Sequence, residues 1–241
     1  KVQTGAKLPM FTSCCPGWVN FVERRYPELI PHLSTCKSPQ MMMGATVKNH
    51  YAKYAGINKE DLFVVSIVPC IAKKAEAARP EFAEDGIRDV DAVLTTTELL
   101  EMIALRRIET VEPMEFDDPY KQVSGAGILF GASGGVAEAA LRMAVEKLTG
   151  ETLTEHLDFE EIRGFEGLKE ATVDAGGVKV RVAVISGLNN SEPIIRKILQ
   201  GVDVGYDLIE VMACPGGCID GAGHPVPEKI DALVKRQQVL V

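Results

Sequence analysis

What the sequence is short of narrows it first. Cysteine is scarce, six in 241 residues, too few for a disulfide scaffold in a chain long enough to bury its own core. Histidine is scarcer still: His32, His50, His156 and His224 are the only four, and their spacing fits no metal-ligand pattern, so each reads as a surface or satisfied residue. Lys and Arg number 26 against 34 Asp and Glu, a net charge of −8, so the electropositive footprint of a nucleic-acid binder is missing. No apolar run approaches the ~20 residues that cross a bilayer. No charged-plus-apolar leader precedes a small-residue cleavage site, although the chain opens at Lys1 rather than a methionine. A cytoplasmic protein is the expectation. The glycine-rich stretch SGAGILFGASGG (124–135) matches neither the dinucleotide fingerprint nor the Walker pattern, so nucleotide binding has no support.

What is present is core-forming material, 46% hydrophobic residues, arranged as alternating short strands and helices. Pro16 opens a helix on which Trp18, Phe21, Val22 and Tyr26 recur at helical spacing. Ser38-Pro39 is a second cap-plus-proline start, with Met42, Val47 and Tyr51 as its apolar stripe. LFVVSIV (62–68) is a continuous apolar run that reads as a strand covered on both faces, followed by Pro69-Cys70 and the helix-prone IAKKAEAAR. DAVLTT (91–96) precedes ELLEMIALRR, GASGG (131–135) precedes a helix running through Lys147, VKVRVAVIS (178–186) precedes EPIIRKILQ, and DLIEVMA (207–213) runs into CPGGC. Gly167 to Ser186 forms a hairpin about Gly176-Gly177. The acidic, proline-bearing stretch 109–124 reads as loop. The pattern is an α/β sheet protein.

The cysteines fall unevenly: Cys14, Cys15, Cys36 and Cys70, then Cys214 and Cys218. Cys70 and Cys214 each end a strand-like run with proline beside them, at the carboxyl end where open α/β sheets place ligands. Cys214-Pro-Gly-Gly-Cys218 is a tight C-x3-C loop whose glycines let backbone approach a bulky group. Two thiolates from such a loop reach two corners of an iron–sulfur cubane, and Cys15 and Cys70 are candidates for the others. Zinc is the rival, but structural zinc favours paired C-x2-C knuckles in small loop-rich modules. Buried core thiols are the plain alternative.

TSCCPGW (12–18), PCIAKKAE (69–76) and EVMACPGGCIDGAG (210–223), in this order, resemble the three signature blocks of the [FeFe]-hydrogenases; KSPQ (37–40) and GGVAEAALR (134–142) add similarity between them. The resemblance covers nearly the whole chain. It implies mixed sheets flanked by helices in two lobes, with the cluster between them, and a single domain over 1–241 that lacks the family's usual upstream part and accessory iron–sulfur domains. It further implies an H-cluster: a [4Fe–4S] cubane joined to a di-iron unit bearing CO, CN and a bridging dithiolate amine. By match to the motifs, Cys15, Cys70, Cys214 and Cys218 would hold the cubane, with Cys218 bridging to the di-iron unit. Cys14 would relay protons, with Ser34 next along the path. Lys73 would hydrogen-bond a cyanide, Glu76 would orient nearby groups, and Met212, Ser38 and Gln40 would wall the pocket. H2 and protons would be the substrates, with electrons from a ferredoxin-type carrier or redox subunit, and another chain would complete the catalytic domain if the chain is a subunit.

Physical chemistry agrees with these roles. An ammonium suits an anionic diatomic ligand in a dry pocket, and a thiol with a reference pKa near 8.5 suits a proton relay. By itself Lys73, among Lys74 and Arg79, would be a solvated lysine on an ordinary helix. Two departures stand out: Val68 where the family usually has methionine, and Gly221-Ala-Gly-His224-Pro225 where it usually has Gly-Gly-Gly-Gln-Pro. Hydrogenase-like proteins of iron–sulfur assembly or nuclear-factor type share the blocks without the di-iron unit, but typically lack a thiol at the position of Cys14. A slow sensory hydrogenase is the third reading.

Overall fold

The computed structural model describes residues 7–115, 127, 129–150, 160–161, 167–174, 176–226, 235–236 and 238. Two compact units divide the chain, one made of residues 1–36, 125–220 and 231–241, the other of 37–124 and 221–230. The α/β character expected from the sequence holds in both.

The first unit is built on a five-stranded sheet in the order β1 (Met10–Phe11), β9 (Leu208–Met212), β8 (Lys179–Ser186), β7 (Leu168–Asp174), β6 (Glu160–Glu161). β1, β9 and β8 run parallel, while β7 and β8 form the antiparallel hairpin expected about Gly176-Gly177. Every residue of β9 is buried, because helices cover both of its faces. Side chains alternate across a strand, and the core divides accordingly. Ala183, Ile185, Ile209 and Val211 pack with Trp18 and Val22 of helix α1 (Pro16–Arg25) and with Ile194 and Ile195 of helix α7 (Leu188–Leu199). Val182, Val184 and Leu208 pack with Ala137, Leu141 and Val145 of helix α6 (Gly135–Thr149). The structure starts α7 at Leu188, four residues earlier than its sequence pattern suggested, since Gly187 turns the chain directly from β8.

The α6 side of β9 carries a charged residue. Glu210 stands fully buried between Ile209 and Val211. Gly134, the residue before α6, has no side chain with which to cap the helix, and the Glu210 carboxylate does it instead, accepting the N–H groups of Gly134 and Ala137, each at 2.7 Å. Burial pushes this carboxyl up to about 7, against the backbone N–H groups of Gly134, Ala137 and Val136, which pull it down.

The second unit carries a parallel pair, β2 (Val65–Val68) with β5 (Ala92–Thr95), and a small hairpin, β3 (Ala83–Glu84) with β4 (Ile87–Arg88). Helix α2 (Pro39–Thr46) passes through a wider π-type turn, Val47–Tyr51, into α3 (Ala52–Ala55). Its buried face is Met41, Gly44, Lys48 and Ala52 rather than the stripe headed by Met42, which is exposed. Lys48 is drawn inward by Asp91 at 2.8 Å and by the carbonyl of Leu62, and Asp91 in turn accepts the Val64 N–H. This pair, buried at Lys48, fixes the chain where β2 begins. β2 forms where expected but is not covered on both faces: Val65 and Ile67 are exposed. Helix α5 (Thr96–Leu105) starts on a capping box between Thr95 and Glu98. Residues 109–115 form neither helix nor strand, as expected, and the rest of that loop and His156 lie outside the described residues.

Glu210 ties folding to pH. Below pH 4.5 both folded and unfolded chains hold its proton. As pH rises the unfolded chain ionises first, while the folded chain keeps the proton until about 7, so stability falls across that window and then levels off. In metal-free protein, wild type should lose ~3 kcal/mol relative to Glu210→Gln between those limits, read from denaturant unfolding at pH 4.5 and pH 7.5. A pH-independent difference would show that the site does not titrate there.

Candidate metal and proton-transfer site

In the first unit, the segment from Phe11 to Cys15 runs from the end of β1 into α1. Phe11 bridges to Leu33, the Ser34 N–H donates to the Phe11 carbonyl at 2.7 Å, and Ser13 Oγ donates to the Cys36 carbonyl at 2.8 Å. The two stretches are thus laced side by side, with Cys14 on one and Ser34 on the other. Ser34 Oγ accepts the Cys36 N–H at 3.2 Å, so the hydroxyl proton points elsewhere. Cys14 and Cys15 are both half-buried. Two buried polar atoms close by in sequence, Thr12 Oγ1 and Trp18 Nε1, have no hydrogen-bond partner among the described residues.

Cys15 meets the end of β9: its Sγ accepts the Ala213 N–H at 3.5 Å, and a side chain on Gly17 would press on Ala213. The first and third cysteine blocks therefore come together. The carbonyl of Met212, a buried residue, accepts the Gly187 N–H at 2.8 Å, which ties the last residue of β9 to the start of α7. Beyond it the C-x3-C loop turns with Gly217 N–H on the Cys214 carbonyl at 3.0 Å. Gly217 has φ +78°, and a Cβ there would lie 2.6 Å from the Ser133 nitrogen, so only glycine fits.

Cys70 belongs to the second unit, at the carboxyl end of β2 as expected, just before helix α4 (Ala72–Ala77). Gly223, five residues after Cys218, is stitched to it. Its N–H donates to the Pro69 carbonyl at 3.1 Å, its own carbonyl accepts from Thr97 N–H and Oγ1, both at 3.0 Å, and a Cβ there would sit 2.9 Å from the Cys70 nitrogen.

One helical turn on, Lys73 is only 8% exposed, so the solvated-lysine alternative fails. Its Nζ donates to Glu76 Oε2 at 2.8 Å. Ser38, the N-cap of α2, donates to the same oxygen at 2.9 Å, and Gln40 Nε2 approaches it at 3.4 Å. Ser66 on β2 holds the other end of the Gln40 amide at 2.9 Å. Ser38, Gln40, Lys73 and Glu76, four residues assigned from the motif resemblance, are one buried polar network. The sequence reading missed Ser66, Thr97, Gly223 and Glu210. A glutamate inside the apolar LIEVM run was the one visible signal.

None of the six cysteines is in a disulfide, and among the described residues no three His, Cys, Asp or Glu side chains gather as around one metal ion. The corners of a cubane spread their ligands over a larger body. The donor set fits such a group: thiols at strand ends, an amide N–H on Cys15 Sγ, and a loop on which only glycine lets the backbone close up.

Residues 1–222 match the family model of the iron-only hydrogenase large subunit, C-terminal domain. The chain belongs to this family. It is 47% identical over 98% of its length to NADP-reducing hydrogenase subunit HndD of Solidesulfovibrio fructosivorans, and 45% identical over 94% to the periplasmic [Fe] hydrogenase large subunit of Nitratidesulfovibrio vulgaris. It spans 40% and 54% of those two proteins. A solved structure of the [FeFe]-hydrogenase HydA1 from Chlamydomonas reinhardtii superposes with a TM-score of 0.83 at 40% identity, over 98% of this chain and 66% of that one. Protein NAR1 of Arabidopsis thaliana is 34% identical over 92% of the chain. The cytosolic Fe-S cluster assembly factor narfl of Danio rerio is 34% identical over 91% of the chain, so the relatives include an assembly factor as well as hydrogenases. No helix among the described residues is long and apolar enough to cross a membrane.

The Lys73–Glu76 network makes its own forecast. Removing one member of a buried pair strands the other, at a cost of about 3–5 kcal/mol. Glu76→Ala should lose that much in denaturant unfolding of metal-free protein, and the double variant Lys73→Met, Glu76→Ala should recover part of it. An unchanged midpoint for Glu76→Ala would mean the pair is solvated in solution.

Proposed function

We propose that this chain is the H-cluster-bearing part of an [FeFe]-hydrogenase and interconverts H2 with two protons and two electrons. The observation that carries this reading is Cys14, a half-buried thiol directly beside Cys15, in a chain 47% identical to a hydrogenase subunit. A cubane-binding relative needs Cys15 but has no use for a second thiol there.

Cys15, Cys70, Cys214 and Cys218 would hold the [4Fe–4S] cubane, with Cys218 also reaching the di-iron unit. When bound, the H-cluster would supply the open metal site, a relay for electrons and the bridging amine for heterolytic H2 chemistry. The protein's own part is positional and protonic. Cys14 Sγ carries a proton to and from the site, aided by a thiol pKa reference near 8.5, not far from neutral pH. Ser34, laced alongside the Cys14 segment, is next along the path. Lys73 holds a dry positive charge for a cyanide ligand, and Glu76 fixes its direction with help from Ser38 and Gln40. Met212 walls the pocket with a polarizable side chain, while Val68 takes away one that the family usually has.

Electrons would come from a ferredoxin-type carrier or a redox subunit, and a partner chain that completes the catalytic domain would cover the exposed Val65 and Ile67 of β2. Cytoplasmic residence suits an exposed thiol such as Cys36, which a reducing compartment keeps intact. The second reading, a cubane-binding assembly factor without the di-iron unit, draws on the 34% identity to the cytosolic Fe-S cluster assembly factor narfl of Danio rerio.

Two measurements decide between them. After maturation with the di-iron unit, the infrared spectrum should show bands of metal-bound CO and CN, and the protein should evolve hydrogen from a reduced carrier; a cubane signal without those bands favours the assembly-factor reading. Cys14→Ser should keep the cubane and lower turnover by about 100-fold or more. Loss of the cubane in that variant would overturn the division of roles between Cys14 and Cys15.

A further inference from the structure

Glu210 lies in the third cysteine block, yet neither the fold nor the proposed chemistry accounts for a carboxylate there. An apolar residue would suit the strand, and Gly134, at φ +93°, sits where a capping serine or aspartate would be strained, so α6 has no local cap. Instead the cap comes from β9, across the sheet face, through two 2.7 Å bonds to Gly134 and Ala137. The stretch so anchored, Gly131 to Gly134, has a second contact. The Gly131 carbonyl accepts the N–H of Ile219 at 3.2 Å. The Cα of Gly217 rests against the backbone of Gly131, Ala132 and Ser133, with room for no Cβ. Ser133 Oγ is further tied to Ser186 Oγ at 2.7 Å. The floor beneath Cys214 to Cys218 is therefore the loop that Glu210 holds.

We propose that Glu210 is a positioning residue for the two-cysteine loop, acting through Gly131 to Gly134 to set the seat of Gly217 and Ile219 and hence the aim of Cys214 and Cys218. This inference rests on the reading that these thiols ligate an iron–sulfur group. Residues that orient metal ligands without touching the metal change affinity by about 10–100-fold when removed, and a carboxylate with two backbone donors is such an orienter. Glutamine keeps the shape of the side chain but turns an NH2 group toward one of those donors, so Glu210→Gln keeps only one of the two bonds.

The test has a metal-free arm and a loaded arm. In metal-free protein, amide hydrogen exchange should quicken about tenfold or more in Glu210→Gln at Gly134, Ala137 and also Ile219, whereas Glu138→Gln leaves Ile219 unchanged, because Glu138 pairs with Arg142 on α6 itself. In protein loaded with the cubane alone, a chelator should strip iron about tenfold faster from Glu210→Gln and faster again from Glu210→Ala. If Glu210→Ala does not fold, Glu210→Gln carries the test. Faster exchange at Gly134 and Ala137 with Ile219 unmoved would reduce Glu210 to a helix cap and overturn the proposal. So would wild-type iron loss from a variant whose Ile219 exchange has quickened. Wild-type protein that takes up no cubane would refute the functional reading instead, and Ile219 exchange would still judge the link from Glu210 to the loop.

Discussion

Backbone-to-backbone contact at the cysteine loops is the constraint on which the rest depends. A thiol on a wandering loop cannot hold a rigid cluster, so each loop has to be fixed by the protein itself. Side chains are too long and too mobile to do this alone. Gly217 lets the C-x3-C loop lie flat on Gly131 to Ser133, and Gly223 lets the following stretch lie on Pro69 and Cys70. At both places a single methyl group would force backbone atoms apart. Strands serve the same end: β9 and β2 stop just before Cys214 and Cys70, and each loop inherits the stiffness of a parallel strand.

Charge in dry places is the second theme. Glu210, Lys73 with Glu76, and Lys48 are buried and well partnered, Lys48 by the half-buried Asp91. None improves the core as an apolar residue would, because desolvating an ion costs more than packing returns unless its partners are well placed. Such groups supply direction instead. Lys48 fixes where β2 begins, Glu76 collects Ser38, Lys73 and Gln40 on one oxygen, and Glu210 fixes the loop before α6. Ser38, Gln40, Lys73 and Glu76 all belong to one unit, and groups ordered in this way by their neighbours reorganise little when charge comes near them.

Much of this was legible from residue order alone. Pro16 and Ser38-Pro39 announce helix starts by their own chemistry, and each helix begins there. Gly176-Gly177 announces the hairpin. Patterns that depend on what lies opposite were less secure. Met42 fits a helical stripe as well as Met41 does, but close packing of Gly44 against Asp89 rotates the helix and leaves Met42 in solvent. β2 has the composition of a doubly covered strand, yet composition does not say whether a cover is present.

The sequence by itself determined the family, the α/β pattern and the identity of the cysteines, because these rest on local spacing and on three blocks that tolerate few alternatives. Only the tertiary structure decided that Lys73 is buried rather than solvated, that Gly223 belongs to Cys70 rather than to the cysteine pair it follows, and that a glutamate in a buried strand caps a helix begun far away in the chain. Burial, partnership and close approach are relations between segments distant in sequence. No local pattern encodes them, since the same residue in the same motif would be a surface charge if a different segment, or none, lay across from it.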